Sequence, residues 1–457
     1  MERRFAVRKR EMLAECEVSV GVFRGMVERL TEFVEPFAAC LGQPAQREHA
    51  EKYVMGLLSD VKRKNVESIA YRHDEDRRNL QHFIGTAKWD ERPLARTLVA
   101  QVGDELGEPD AVIVFDPSAF RKKGKQSVGV ARQWCGRYGK IDNCQVAVYM
   151  GYVARQERVL VDTRLYLPEE WAGDRRRKAA AGVPKDVRFQ TRHQQALEML
   201  GEHGEKLPHA WVAGDDEMGR STVFRRDLHA MGERYLLAVP SNTTIRDLQG
   251  ERPVYQGRGA KPKRPFEQVR RWRESLPEDA WRRVKVRDGE KGPLEVEIVT
   301  RRVEAKTDRR RVGPEETLVV IRSLDEEEVT KYDYYLSDAP NNTPLREFAR
   351  VALAAHRVEE CIKRAKSEAG LADYEVRNWA AWHHHQVLSL MAVWFLVQEA
   401  RRGKKAHASA HRSASAGRLG HTLAGRLSAR HAPPHRAYQD APLATQRRST
   451  ILPLEIT

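Results

Sequence analysis

Two acidic residues stand directly after short apolar stretches that are typical of buried strands. Asp116 closes the stretch "VIVFD", and Asp215 closes the stretch "WVAGD". Short apolar runs of this kind indicate strands in the interior of a sheet. Ligands of open α/β sheets bind at the carboxyl ends of such strands. If the two strands are neighbours, the two carboxylates lie together at a ligand-binding edge.

A third acid, Glu359, lies in a predicted helix that begins after Thr343 and ends at Gly370. Its apolar residues recur at helical spacing and form one stripe: Leu345, Phe348, Ala352, Ala355, Val358, Ile362 and Ala365. Glu359 stands at the edge of this stripe, so it can reach the sheet on which the helix packs. Lys366 lies two turns further along the same side, where its ammonium group can reach a phosphate.

Three clustered carboxylates repel one another and raise their own pKa values unless a cation joins them. Mg²⁺ prefers oxygen ligands and binds through a few carboxylates together with substrate phosphate oxygens. Two such ions about 4 Å apart can activate a water or a 3′-hydroxyl and stabilise the leaving oxygen of a phosphodiester. The acids therefore predict a metal site. The alternative for any single acid is an ordinary turn or helix cap.

The elements around these acids predict an α/β fold with a ribonuclease H-like catalytic core. The strand "AVIVFD" is followed by two strands, "NCQVAVYMGYVA" and "ERVLVDTRLYLP", that are typical of an antiparallel meander. Helices and strands then alternate through "RHQQALEMLGEHG", "AWVAGD", "GRSTVFRRDLHAMG" and "RYLLAVP". In this layout the first and fourth strands are adjacent in the middle of the sheet, which brings Asp116 beside Asp215.

Changes in composition divide the chain into five predicted parts. Residues 1–108 are predicted to form a helical N-terminal domain that binds DNA, with a plain helical bundle as an equally supported alternative. Residues 109–240 form the first part of the catalytic domain, 241–332 a β-rich insertion, and 333–401 the helical remainder of the catalytic domain. Residues 402–457 form a basic, low-complexity tail that is predicted to be disordered, because it has few large apolar residues.

The charge of the chain favours nucleic acid as its partner. Lys and Arg number 80 against 65 Asp and Glu, and the isoelectric point is near 9.6. Residues 401–457 contribute eleven Lys or Arg and two acids, so they carry +9 of the net +15 and the rest of the chain carries about +6. The longest apolar run, "VLSLMAVWFLV", is too short for a membrane span, the start lacks a signal peptide, and the five cysteines suit a reducing cytoplasm.

Basic residues near the acids are candidates for holding the DNA backbone. Those of "RKKGK", Arg121, Lys122, Lys123 and Lys125, are predicted to lie in a loop after Asp116, with a solvated turn as the alternative. Arg357 and Lys366 flank Glu359. The run His383–His385 suggests a metal at first, but adjacent histidines on a helix point about 100° apart, so surface or interface positions are predicted instead.

Several longer segments resemble the DDE transposases of bacterial insertion sequences. They are "VIVFDPSAFRKKGKQSVGVARQWCGRYGKIDNCQVAVYMGYV", "LYLPEEW", "WVAGDDEMGR", "YLLAVPSN" and "HRVEECIKRAKSEAGLADYEVRNWAAWHHH". The resemblance covers roughly residues 45 to 400 and is to the branch with a β-rich insertion before its glutamate. Where the family commonly has a second Asp and a Thr after the first acid, this chain has Pro117 and Ser118.

The resemblance implies a cut-and-paste transposase that binds the inverted-repeat ends of its element, cleaves them and joins them to target DNA. Asp116, Asp215 and Glu359 correspond to the three acids of the family and would hold two Mg²⁺ ions, which Mn²⁺ can replace. The implied partners are double-stranded DNA and a second copy of the chain in a synaptic homodimer, in the bacterial cytoplasm and with the nucleoid. Two alternatives stay open: a transposase relative that only binds DNA, and a ribonuclease H-like nuclease that does not transpose.

Overall fold

The computed structural model describes residues 6–7, 9–11, 24–260, 262–289, 292–307, 310–324, 330–340 and 342–413. The chain divides into two compact units, residues 1–398 and 399–457, and every contact discussed below belongs to the first. Residues 402–413 of the predicted tail form the end of a helix, and residues 414–457 lie outside the described residues. Within the described part of the chain, every helix is too short or too polar to cross a membrane.

Within residues 24–111, five helices precede the first strand. They are α1 (Arg24–Ala38), α2 (Pro44–Leu58), α3 (Val66–Arg72), α4 (Arg77–Gly85) and α5 (Arg92–Leu106). Local chemistry sets several of their starts. Pro44 occupies the first position of α2, where its missing N–H is not needed. Asn65 and Asp76 cap α3 and α4 by accepting hydrogen bonds from the backbone N–H groups of Ser68 and Arg78.

One mixed sheet of twelve strands forms the centre of the molecule. The strands are β1 (Val112–Arg121), β2 (Ala131–Cys135), β3 (Lys140–Val153), β4 (Arg158–Leu165), β5 (Trp211–Gly214), β6 (Tyr235–Ala238), β7 (Thr244–Asp247), β8 (Glu267–Gln268), β9 (Arg282–Gly289), β10 (Gly292–Lys306), β11 (Val312–Leu324) and β12 (Thr330–Ser337). Their order is β2-β3-β1-β5-β6-β12-β11-β10-β7-β8, with β4 beside β3 and β9 beside β10. The α/β class is thus as predicted.

The pairing directions define two halves of this sheet. β3 is antiparallel to β1, β2 and β4, whereas β5 is parallel to both β1 and β6. The predicted first strand and the "AWVAGD" strand are therefore direct neighbours. The strands of residues 241–332 continue the same sheet, because β12 pairs antiparallel with β6.

The remaining helices cover the sheet and connect it to the N-terminal helices. They are α6 (Glu169–Gly173), α7 (Arg175–Ala180), α8 (Arg192–His203), α9 (Asp216–Arg220), α10 (Thr222–Ala230), α11 (Val269–Glu274), α12 (Leu345–Glu368) and α13 (Trp379–Ser413). A single hydrophobic cluster runs from α1 through the sheet to α13, where the rings of Phe33 and Phe395 lie 5.2 Å apart. The indole of Trp394 also donates to Gln101 of α5 at 2.9 Å.

Of the surface or interface positions predicted for His383–His385, the surface position is wrong. All three are buried in α13, where hydrogen bonds to protein groups replace those that water would make at a surface. His384 lies 2.9 Å from the carbonyl oxygen of Ile84 and stacks on Trp89 at 3.7 Å between ring centroids. His385 lies 2.9 Å from the hydroxyl of Tyr53. The histidines therefore join α13 to the N-terminal helices, and burial lowers the pKa of each of them.

A buried ion pair connects the later strands to the first half of the sheet. Arg225 of α10 donates to Glu316 of β11 with Nε–Oε1 at 2.7 Å and Nη2–Oε2 at 3.2 Å. The hydroxyl of Tyr235 on β6 donates to the same carboxylate at 2.6 Å. Both ionic side chains are about 2% exposed or less, so neither has water to replace its partner.

We predict that Glu316→Ala destabilises the protein by about 3–5 kcal/mol, because it leaves the Arg225 guanidinium buried without its counter-charge. The matched control is Glu368→Ala, which removes the exposed partner of Arg364 and should cost less than about 1 kcal/mol. Urea unfolding of the two variants measures both values. Equal losses would show that the buried pair does not hold these strands in place.

Candidate active site

The register of two parallel strands places Asp116 beside Asp215. Phe115 of β1 pairs with Gly214 of β5, Asp116 is the next residue of β1, and Asp215 is the first residue after β5. Neighbouring strands lie about 4.8 Å apart, so the two backbones are adjacent at this point. Asp215 immediately follows β5 and caps α9, with Oδ1 accepting from the N–H of Met218 at 3.1 Å.

Asp116 does not end its strand, in contrast to the sequence-based expectation. β1 continues to Arg121, paired with β3 throughout, whereas β5 stops at Gly214. The second half of β1 is therefore not paired with β5. Pro117 is tolerated there because an edge position does not require its missing N–H. Asp116 is therefore held in a continuous strand at the point where the sheet opens.

Helix α12 brings Glu359 over the same region. The preceding residue, Val358, is fully buried against β3 at Gly151, and a Cβ placed on that glycine would lie 2.6 Å from Val358 Cγ2. Gly151 pairs with Val114, two residues before Asp116. The absent side chain of Gly151 thus sets how closely α12 approaches the strand that carries Asp116. Glu359 itself is exposed at the edge of the helix.

All three predicted acids, Asp116, Asp215 and Glu359, line one cavity of about 300 Å³. Its walls come from β1, the β5–α9 turn, the end of β6, β12 and α12. Three further polar residues of the cavity wall, Asp216, Asp333 and His356, are not among the predicted site residues. His356 Nε2 lies 4.0 Å from Asp333 Oδ2. An acid inside the otherwise apolar strand "YDYYL" was the available signal for Asp333.

Burial and repulsion from neighbouring carboxylates raise the pKa values of Asp116 and Asp215. Burial, together with the neighbouring carboxylates of Asp215 and Glu359, raises the pKa of Asp116 to about 8, and the Lys366 ammonium group opposes this shift. Burial also raises the pKa of Asp215 to about 7, against the hydrogen bond from Met218. Both shifts are those of acids whose charge is poorly compensated by the protein alone. A bound cation would remove this penalty.

The basic residues proposed for the DNA backbone occupy different environments. Lys366 donates to the hydroxyl of Ser118 at 2.7 Å and lies 4.7 Å from the ring centre of Phe120. It therefore packs on the acid-bearing face of β1. Arg357 points elsewhere: it donates to the carbonyls of Ala154, Arg155 and Gln156, in the turn between β3 and β4.

The segment "RKKGK" begins in strand β1, since Arg121 is the last residue of that strand. Lys122 is half-buried, donates to the carbonyl of Tyr374 at 3.2 Å and lies over its ring. Burial lowers the pKa of Lys122 to about 8. Arg121, Lys123 and Lys125 are exposed. Three of the four residues thus remain available to a phosphate backbone.

A second group of metal-ligand type, Asp162, Glu202 and His203, lies away from this cavity. Arg164 donates to both carboxylates, Arg92 donates to Glu202 at 2.9 Å, and His203 Nε2 lies 2.8 Å from Asp162. Burial alone would raise the pKa of Asp162, but Arg164 and His203 hold it at about 2. Since side-chain cations already neutralise these acids, the group is better suited to an ion-pair network than to a metal.

The raised pKa of Asp116 predicts that the stability of the metal-free protein falls as the pH rises. The stabilising contribution of Asp116 is complete below pH 4 and is lost as the pH rises towards 8, because the unfolded state releases this proton near pH 4 whereas the folded state keeps it until about pH 8. Metal-free Asp116→Asn should therefore melt about 2 °C or more above the wild type at pH 8.5, with a smaller difference at pH 5.

Thermal melts in EDTA at the two pH values provide this measurement. The control is Asp110→Asn, because Arg155 lowers the pKa of Asp110 and its loss should give no gain at pH 8.5. The same melting difference for Asp116→Asn at both pH values would contradict the assigned electrostatics.

Comparison with known proteins places these features in a family. The model of the DDE superfamily endonuclease family matches residues 36–293, which is more than half of the chain and includes Asp116 and Asp215. One relative, described as "Probable transposase for insertion sequence element IS701" from Microchaete diplosiphon, is 35% identical over 101 residues. That match spans 22% of this chain and 27% of the relative. The chain belongs to the DDE superfamily endonucleases.

Proposed function

We propose that this protein is a DNA transposase that cleaves the ends of its own insertion sequence and joins them to target DNA. Asp116, Asp215 and Glu359 are proposed as its catalytic acids and metal ligands. The observation that carries the proposal is their meeting in one cavity at the open edge between β1 and β5. Membership of a family of endonucleases is consistent with this chemistry.

The strand order supports assignment of the core to the ribonuclease H type. β3 pairs antiparallel with both β4 and β1, and β1 is followed across the sheet by β5 and β6, which run parallel to it. This is the arrangement that the meander and the alternating elements of the sequence predict. The N-terminal helices are proposed to bind DNA, and residues 241–332 are proposed to be an insertion between the second and third acids.

The residues of the cavity fit a divalent cation. Its acidic side chains offer oxygen ligands, which are those that Mg²⁺ prefers. The raised pKa values of Asp116 and Asp215 show that these acids lack sufficient positive charge from the protein. When bound, Mg²⁺ at two positions would activate the attacking oxygen and stabilise the leaving oxygen of a phosphodiester, and Mn²⁺ would replace it.

The protein's own groups fix the geometry of the acids before any ligand arrives. Asp116 is rigid because β1 is paired with β3 on both sides of it. Asp215 is oriented by its cap bond to Met218, and Glu359 approaches from a separate element, α12. The close packing of Val358 on Gly151 sets the distance between that helix and the strand that carries Asp116.

Positive side chains at the far end of β1 are proposed to hold the DNA backbone. Arg121, Lys123 and Lys125 are exposed there, and phosphate contacts of this kind fix the position of a duplex without reading its sequence. Cleavage of two ends requires two active sites, so a homodimer is proposed for the synaptic complex. The remaining alternatives, a relative that only binds DNA and a nuclease that does not transpose, are separated by the experiment below.

We predict that the wild type cleaves a labelled duplex carrying the inverted repeat that flanks its gene, in Mg²⁺ or Mn²⁺ and not in EDTA. Asp116→Asn, Asp215→Asn and Glu359→Gln should each lower the rate at least about 100-fold, since each removes a charge needed at the reacting phosphate. Binding of the duplex in a gel shift should persist in all three variants.

The matched control is Glu360→Gln. Glu360 adjoins Glu359 on α12 but is exposed and pairs with Arg158 at 2.9 Å, so its loss should leave cleavage within about twofold of the wild type. Binding without cleavage by the wild type would identify a protein that only binds DNA. Cleavage without joining to a target duplex would identify a nuclease.

A second prediction concerns the fit of α12 on β3. Gly151→Ala should push Val358 outward and shift Glu359, and a displacement of about 1 Å can lower the rate about 100-fold. Adding Val358→Ala frees the space and should restore most of the activity. The cleavage assay measures both variants. A double variant as inactive as Gly151→Ala would contradict this packing argument.

A further inference from the structure

The hairpin formed by β2 and the first residues of β3 exposes an apolar pair that the active site does not use. Trp134 is 55% exposed and Ile141 is 58% exposed, and they pair directly across the hairpin. Residues directly opposite one another project from the same face of a sheet. Tyr138, in the turn between the two strands, is 45% exposed. β2 lies at one end of the strand order.

The same segment concentrates positive charge. Residues 121–145 contain seven Lys or Arg and a single acid, Asp142, which gives +6 (7 − 1) within 25 residues. That acid is paired with Arg121 at 3.1 Å. Arg132 and Lys140 are exposed on the hairpin itself. An apolar tip surrounded by this much positive charge is complementary to a polyanion and unfavourable for a second copy of the same surface.

Strand parity places the apolar pair on the face of the sheet that carries the catalytic acids. Tyr149 pairs with Asp116, and Ile141 is eight residues before Tyr149 on the same strand, so an even number of residues separates them. Side chains an even number of residues apart on a strand share a face. Eight residues of strand span about 26 Å, which corresponds to about eight base pairs of duplex DNA.

We propose that the β2–β3 hairpin is a second DNA-contact element, in which Trp134 and Ile141 enter a groove of the duplex and unstack a base step about eight base pairs from the cleaved bond. The surrounding Arg and Lys side chains hold the adjacent phosphates. Apolar side chains flanked by basic ones are the groups that wedge between base pairs and bend a duplex. This inference rests on the proposed function, because it takes its substrate from that function.

The test uses the full-length protein and duplexes with 2-aminopurine placed singly at about six to ten base pairs on either side of the cleavage site. In EDTA, the wild type should raise the fluorescence about twofold or more at one of these positions, since unstacking relieves quenching. Trp134→Ala/Ile141→Ala should not raise it, and should bind the duplex about tenfold more weakly.

The control is Met231→Ala, which removes another exposed apolar side chain, just after α10 and on the other side of β1. It should behave as the wild type. In Mg²⁺, the hairpin variant should cleave long duplexes about tenfold more slowly than the wild type but match it on duplexes ending about four base pairs from the cut, where the hairpin has no DNA to contact.

Three results would overturn the inference. They are no fluorescence change with the wild type, equal binding by wild type and hairpin variant, or loss of a dimer in the variant with DNA contacts unchanged. The last would show that the hairpin contacts a second copy of the chain. Failure of the proposed function is recognised separately, because the wild type would then unstack the duplex without cleaving it in Mg²⁺.

Discussion

The parallel pairing of β1 with β5 is the interaction on which the candidate site depends. It places Phe115 against Gly214, so the residue that follows each of them in sequence is an aspartate at the same level of the sheet. β5 then ends while β1 continues on β3, which opens a gap beside Asp116. The strand β6 on the other side of β5, the cap at Asp215 and the helix α12 all complete the walls of this gap.

The arrangement costs stability in the absence of a ligand. Burial and neighbouring carboxylates raise the pKa values of Asp116 and Asp215. Ionising either acid therefore destabilises the metal-free fold. Elsewhere the same chain neutralises its buried acids with arginines, as at Asp162 and at Glu316. This contrast between compensated and uncompensated acids distinguishes the candidate site from structural ion pairs, although both contain clustered carboxylates.

The sequence predicted the parts of the site that depend on local pattern. Apolar runs revealed β1 and β5 together with the acids that follow their buried stretches, and helical spacing revealed the face of α12 beside Glu359. These signals are local because periodicity records which side of an element is buried. The family resemblance added the correspondence of the three acids, and the endonuclease family match covers the segment that contains the two aspartates, residues 36–293.

Features that depend on tertiary contacts escaped prediction. β2 was not predicted from the sequence. It contains polar residues such as Arg132 and Gln133, because an edge strand with an exposed face lacks the apolar run that indicates a buried strand. His383–His385 were expected at a surface or an interface, but backbone carbonyls and Tyr53 supply the hydrogen bonds that permit their burial inside the fold. Lys122 turned inward on Tyr374, about 250 residues away in sequence, and no local pattern records such a partner.

The most direct test of the central claim is anomalous diffraction from crystals of the protein soaked in Mn²⁺. The account predicts anomalous peaks in the cavity, with manganese about 2.1 Å from carboxylate oxygens of Asp116 and Asp215 and with Glu359 turned towards it. Peaks at Asp162, Glu202 and His203 with none in the cavity would contradict the account, because the acids that lack arginine partners would then not be the metal ligands.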